Sequence, residues 1–422
     1  MAQVNIITRE RATHVGLESA YGTTPSGSFP NAMTRVFAIG DDEARDPQEE
    51  MLDNLDERVL RNDAIHPIHG LQLSTSFAFK CYLKTTPNAV QLEDGATAGS
   101  IPERIILTHA LGTEHADEGS TAVNSGSSTT AVVVQTGHGT RFKKGTFVAV
   151  QISGAMEWTK ITNISTDTLT VSPALSGTPA NGAIVRNLYN YAAAESHANS
   201  LTIQQANVGS SAAQYTFNGC YGNFALELPE FGQLPMMTLQ ITATSVVGPS
   251  AQSVDTTTAT DVMGAPIVFR PEVYITSGGT ITRGTRTVVE GLGLEYSNQW
   301  EQVRDGSTSS TVAAVVDTGG RPRAVKFTCR TRFDVDWETA FNADTAYNIV
   351  MVQRIGTGTT AAFWIISLPN AKLVAKPKPV KVGERFYLDL EFSGLRDTQP
   401  TLSAETGTDL DLLGSPFKVA FG

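Results

Sequence analysis

Three places bring this chain's side chains closest to chemistry: an HxxH pair, a DxD pair and a crowd of carboxylates between residues 40 and 63. In IHPIHG, His66 and His69 have the spacing of a zinc pair, but Pro67 argues against a metal-binding helix and no third ligand is near. In FDVDW, Asp334 and Asp336 are expected on one strand face, the arrangement of a calcium or acid–base pair, but Arg330 and Arg332 beside them make solvated surface ion pairing the plainer role. The glycine-rich stretches GTGTT (356–360) and SGGT (277–280) lack the Gly-Lys-Ser/Thr ending of a phosphate loop and read as hairpin turns. No serine sits in a Gly-x-Ser-x-Gly elbow. Trp158, Trp300, Trp337 and Trp364 are scattered, which suits core or interface roles better than a sugar-stacking cleft. Neither a catalytic site, a metal site nor a cofactor site is expected.

The carboxylate crowd is different in kind. Asp41, Asp42, Glu43, Asp46, Glu49, Glu50, Asp53, Asp56 and Glu57 face only Arg45, Arg58 and Arg61. A solvated loop and surface helix over 48–60 would explain it. So would a contact arm that reaches basic patches on a neighbouring subunit, such as Lys372, Lys376, Lys378 and Lys381. Contacts of that kind set register and choice of partner more than affinity.

Composition limits the options. With 422 residues, 41% hydrophobic and 17% charged, the chain is suited to a folded protein of two or three domains. A net charge of -11 opposes tight nucleic-acid binding, which needs cations to neutralise phosphates. The first residues carry Arg9, Glu10 and Arg11 without a signal-length apolar run, and no stretch reaches the roughly 20 apolar residues of a membrane helix. Cys81, Cys220 and Cys329 are widely spaced and odd in number, so buried free thiols formed in a reducing cytoplasm are expected.

The elements that would position these residues are mostly strands. GLQLSTSFAFKCYL (70–83) alternates Leu71, Leu73, Phe77 and Phe79 on one face, and KFTCRTRFDVDW (326–337) alternates Phe327, Cys329, Phe333 and Val335. NIVMVQRIG, AAFWIISLP and RFYLDLEFSG are further strands. Helices are expected over 48–60, 102–111 and 336–344 only.

A repeat underlies this pattern. With a shift of 148, Ile203 falls on Met351, Tyr215 on Phe363, Phe217 on Ile365, Cys220 on Leu368 and Pro229 on Pro377. One extra residue at the LPEFGQLP corner then puts Leu239 on Leu388 and Ile241 on Leu390. Upstream, residues 70–80 lie on 324–334 with their alternation in phase. The expected organisation is an N-terminal arm (1–32), a first β domain (33–118 and 189–248), a small inserted β barrel or sandwich (119–188) on an outer surface, a second β domain (249–400) and a C-terminal tail (401–422).

GLESAYGTTPSGSFPNAMTRVFAIGDD, with its Glu-x-x-Tyr-Gly-Thr stretch before the first strand, resembles the N-terminal arm of phage tail-tube (major tail) proteins. The F-x-G-C strand of YTFNGCYGNFALE and its closing strand, and the run FRPEVYITSGGTITRGTRTVVEGLGLEYSNQW, are similar to the same family. The resemblance implies mainly β, tandem tail-tube-type sandwiches whose inner sheets join across subunits into a barrel. It implies stacked rings forming the conduit for DNA ejection, in a virion tail assembled in the host cytoplasm. Two such domains per chain imply trimeric rings with pseudo-sixfold symmetry; hexameric rings are the alternative. Further implied partners are a tape-measure protein inside and terminator and distal-tail proteins at the ends, with no membrane. DNA would pass a lumen of repelling carboxylates without specific binding. The acidic arm, with Asp41, Asp42, Glu43, Glu49, Glu50, Asp53, Asp56, Glu57, Arg58 and Arg61, would lie between stacked rings. A distal-tail, baseplate or connector protein forming a single ring is the competing reading, and a carbohydrate-binding or hydrolytic β protein a third.

Overall fold

The computed structural model of the chain describes residues 11–19, 22, 25, 34–36, 49–52, 68–72, 75–82, 102–115, 120–193, 200–207, 214–227, 236–243, 245–250, 270–278, 280–297, 300–304, 312–317, 324–332, 336–396 and 412–422. The protein is mainly β. In chain order, β1 (Arg11–Leu17), β2 (Thr34–Val36), β3 (Glu49–Leu52), β4 (Ile68–Gln72) and β5 (Thr75–Tyr82) precede helix α1 (Pro102–Leu111) and β6 (Gly112–His115). Six strands follow: β7 (Ser120–Ala122), β8 (Ala131–Val133), β9 (Phe147–Ile152), β10 (Ala155–Ser165), β11 (Thr168–Ser172) and β12 (Ile184–Asn187). Then come β13 (Tyr189–Ala193), β14 (Leu201–Asn207), β15 (Gln214–Glu227), β16 (Met236–Ala243) and β17 (Ser245–Ser250). The last part holds β18 (Glu272–Ser277), β19 (Val289–Ser297), β20 (Trp300–Arg304), β21 (Val312–Asp317), β22 (Ala324–Arg332), α2 (Asp336–Asn342), β23 (Ala346–Ile355) and β24 (Ala362–Leu373). It ends with β25 (Lys378–Val382), β26 (Arg385–Gly394) and β27 (Lys418–Phe421).

Alternation of apolar residues dictates the layers. One all-antiparallel sheet runs β5–β16–β15–β19–β22–β26–β25 and so crosses from the first half of the chain into the second. It turns Met237, Leu239, Ile241, Leu292, Leu294, Tyr296, Phe327, Cys329, Leu388, Leu390 and Phe392 to one continuous core. Over the first half lie β2–β1–β14 and the first part of β15, with β17 on its other side. Over the second half lie β6–β13–β27–β24–β23–β18. Helix α1 adds Ile106, Leu107, Ala110 and Leu111 to the core, and Trp337 of α2 packs on Tyr347 and Phe392.

The second half repeats the order of the first. β14, β15 and β16 pair in sequence as β23, β24 and β26 do, and the matched Cys220 and Leu368 are both fully buried. β1 pairs with β14 through Val15 and Ile203, as β18 pairs with β23 through Val273 and Met351. Pairing also corrects the upstream match. Phe77 and Phe79 oppose Ile241 and Leu239, while Cys329 and Thr331 oppose Leu390 and Leu388, so Phe77 corresponds to Cys329, two residues from the sequence match. A slip of two preserves the buried face, which is why alternation alone did not expose it.

Other expectations change too. Residues 49–52, placed in a helix by their spacing, form strand β3 opposite β4, and the rest of 48–60 lies outside the described residues. Cross-strand pairing overrides a helical pattern of only a few turns. The run 70–83 divides between two sheets, β4 pairing with β3 and β5 with β16. The stretch set apart as a C-terminal tail carries β27, a central strand between β13 and β24. Its Phe421 stacks on Tyr189, Tyr191 and Trp364 at centroid distances of 5.3, 5.5 and 5.0 Å.

Residues 120–187 form a sheet of their own, β7–β12–β9–β10–β11–β8, and a Val123–Val134 bridge brings its outer strands together as a small barrel. Val132, Val148, Val150, Ile161, Leu169 and Val185 fill its inside.

Candidate assembly interface

The chemical candidates do not converge. His69 lies in β4 opposite Met51, and His66 lies outside the described residues. β22 ends at Arg332 and Asp336 opens α2, so the expected strand face shared by Asp334 and Asp336 is not formed; Asp334 itself lies outside the described residues. GTGTT is a short 3-10 turn from β23 to β24. Trp158 and Trp364 are buried and Trp337 is half-buried against α2's neighbours. Among the described residues, no group of three or more His, Cys, Asp or Glu could hold a metal ion.

Of the acidic segment, Glu49 and Glu50 belong to β3. Asp41, Asp42, Glu43, Asp53, Asp56, Glu57, Arg58 and Arg61 lie outside the described residues. β3 and β4 form a hairpin just ahead of β5, as β20 and β21 form one just ahead of β22.

The face of the long sheet turned away from the core carries both signs of charge. Arg330 meets Asp389 in a fork at 2.7 and 3.2 Å, and Lys326 meets Glu391 at 3.0 Å, each across the β22–β26 pair. Glu290, Glu295 and Arg332 share this face and are exposed. In the second half, most charges on this face are therefore engaged in cross-strand ion pairs of small net charge.

Two features set the geometry of the sheet. Glu18, just after β1, is buried, and its carboxylate accepts bonds from Thr202 Oγ1 at 2.8 Å, Gly219 N at 2.8 Å, Gly22 N at 2.7 Å and Ser200 Oγ. It ties β1, β14 and β15 at the point where β15 passes between layers. Gly219 has φ +59 there, and the β14–β15 register shifts between Leu201 and Ile203. This bulge explains the glycine of the F-x-G-C run, since a side chain would strain that backbone. The Glu-x-x-Tyr-Gly-Thr stretch thus follows β1 rather than leading into the first strand.

The second feature is a clasp between the barrel and the second half. Phe147, Met156 and Trp158 pack on Tyr274, Ile281, Val350, Phe363 and Ile365. Buried Arg186 donates from Nη2 to the Ala361 carbonyl at 2.5 Å. Arg283 donates from Nε to the Ala174 carbonyl at 2.7 Å and from Nη2 to the Trp158 carbonyl, and its guanidinium lies 5.3 Å from the Trp158 ring centroid. One face of the insertion is therefore covered by its own chain. Beside the clasp, a cleft of about 440 Å³ opens between Lys160, Thr162 and Ser172 of the barrel and Thr280, Asn348 and Ser367 of the second half.

At the far end of the long sheet, β25 pairs with β26 alone among the described strands. Phe386 there is 60% exposed, beside exposed Val382. Lys372 and Lys376, expected in one basic patch with Lys378 and Lys381, are held by Asp344 and Glu338. Sequence reasoning did not find Glu18's cage, the two arginine clasps or the bared Phe386; only the alternating Phe417, Val419 and Phe421 gave a signal for β27. Compared with protein-family models and with curated proteins, the chain matches none.

Proposed function

We propose that this chain is a structural virion subunit that polymerises as stacked rings into the tube of a phage tail, a conduit for DNA and not an enzyme. The observation that carries the reading is the single antiparallel sheet that runs through both halves of the chain and stops at an uncovered edge strand, β25. A sheet that already joins two repeated units inside one chain is suited to joining further units between chains, which removes exposed edges. Two repeated halves per chain favour trimeric rings that imitate a hexamer. The sequence resemblance supplies the tube, the tape-measure and tube-end partners and the virion location. The balanced cross-strand pairs on the outer face of the sheet fit a wall past which DNA moves without being gripped.

The acidic hairpin arm is assigned to contact between stacked rings. Reversing Glu49, Glu50 and Asp53 to lysine is expected to block tube growth while the purified subunit keeps its β-type circular dichroism and its melting temperature. Tubes of normal length from this variant would remove the arm from the account. Rings that never stack, from the unaltered protein, would favour the single-ring reading.

A further inference from the structure

We infer that the cleft between the barrel and the second half binds a small acidic sugar, a ring that carries hydroxyls and one carboxylate. The site lies within the single chain and needs no assembly.

Strand register sets each wall of the cleft. On the barrel, Phe147 of β9 and Ser172 of β11 both lie opposite Lys160 of β10, and Trp158 and Thr162 flank Lys160 at period two. These positions alternate with Val148, Ile161 and Val171, which fill the barrel's inside, so they face outward into the cleft. On the second half, Asn348 and Val350 share a face of β23, and Ser367 of β24 lies opposite Val350. Thr280 and Ile281, just after β18, complete that wall. The clasp made by Arg186 and Arg283 holds the two walls together before any ligand arrives, which lowers the cost of binding.

The lining selects by chemistry. Phe147, Trp158, Ile281 and Val350 are buried and form an apolar floor suited to the C–H face of a sugar ring. Thr162, Ser172, Thr280 and Ser367 bring hydroxyls and Asn348 a carboxamide, groups that donate and accept hydrogen bonds as sugar hydroxyls do. Lys160 is the one charged side chain of the lining, and no carboxylate lines the cleft among the described residues. In a chain of net charge -11, the cleft thus has the opposite sign to the whole. One ammonium matches one carboxylate, whereas a nucleotide would bring more negative charge than this lining meets. The volume of about 440 Å³ lies in the range of small-molecule sites.

The test is a set of titrations of the full chain with glucuronate, glucose and acetate, followed by ligand-observed saturation-transfer NMR. Glucuronate is expected to bind. Glucose, which lacks the carboxylate, and acetate, which lacks the ring, are each expected to bind at least about 10-fold more weakly. Lys160→Gln and, on the facing wall, Thr280→Glu should each weaken glucuronate at least about 10-fold with the melting temperature unchanged. A glucuronate dimer that binds more tightly than the single ring would identify a polysaccharide as the source, and equal binding a free sugar acid; either upholds the site. No saturation transfer from glucuronate, glucose or acetate binding as tightly, or glucuronate binding that neither variant alters would overturn it. Tubes formed by a chain that binds no sugar would leave the assembly reading intact.

Discussion

His115, at the end of β6, is half-buried, and its Nε2 has no hydrogen-bond partner among the described residues. Burial first, and the Lys143 ammonium second, hold its pKa down at about 4, against an ordinary value of 6.5. The unfolded chain therefore takes up this proton before the folded one. Stability from neutral His115 is complete above pH 6.5, declines as pH falls below it and is lost by about pH 4, a contribution on the order of 3 kcal/mol. Thermal melts across this window should fall more steeply for the unaltered protein than for His115→Phe; parallel profiles would count against this role. Burial likewise pushes the Cys220 and Cys329 thiols up, so both should resist thiol reagents until the protein unfolds. Residue-level roles were the least legible in sequence. Glu18 stood in a quoted motif, but nothing in GLESAYG says that its carboxylate meets Ser200, Thr202 and Gly219 some two hundred positions away.

At the scale of elements, alternation was a good guide where one face is buried. β22, β23, β24 and β26 fall where Phe327, Met351, Ile365 and Leu390 predicted them, and helices α1 and α2 fall on PERIILTHAL and DWETAFN. It failed where pairing partners decide the outcome, as in β3, in the division of 70–83 and in the two-residue slip of the repeat. The insertion's attachment was equally hidden, because Arg186 and Arg283 find carbonyls on distant strands. Arg283→Ala removes two hydrogen bonds and the contact with Trp158, and should cost about 2 kcal/mol. Limited proteolysis in the loop after β11 (residues 173–182), which carries the Ala174 carbonyl, is expected to quicken by at least several-fold. An unchanged cleavage rate would mean that the apolar contacts of Phe147 and Trp158 hold the barrel without the arginine.

For the whole molecule, the proposed assembly rests on one sheet crossing both halves, a barrel clasped to the second half and a basic strand β25 that pairs with β26 alone among the described strands. The repeat was legible as a pattern of apolar positions; the continuity of the sheet was not, because the Phe224–Tyr296 and Tyr189–Phe421 pairings join segments that are distant in sequence. The barrel's place beside the second half would set three outer projections on a trimeric ring. Negative-stain microscopy of the purified chain tests the central claim most directly. The account predicts hollow tubes of uniform width with three such projections per ring. Particles that remain single subunits at every protein concentration would contradict it.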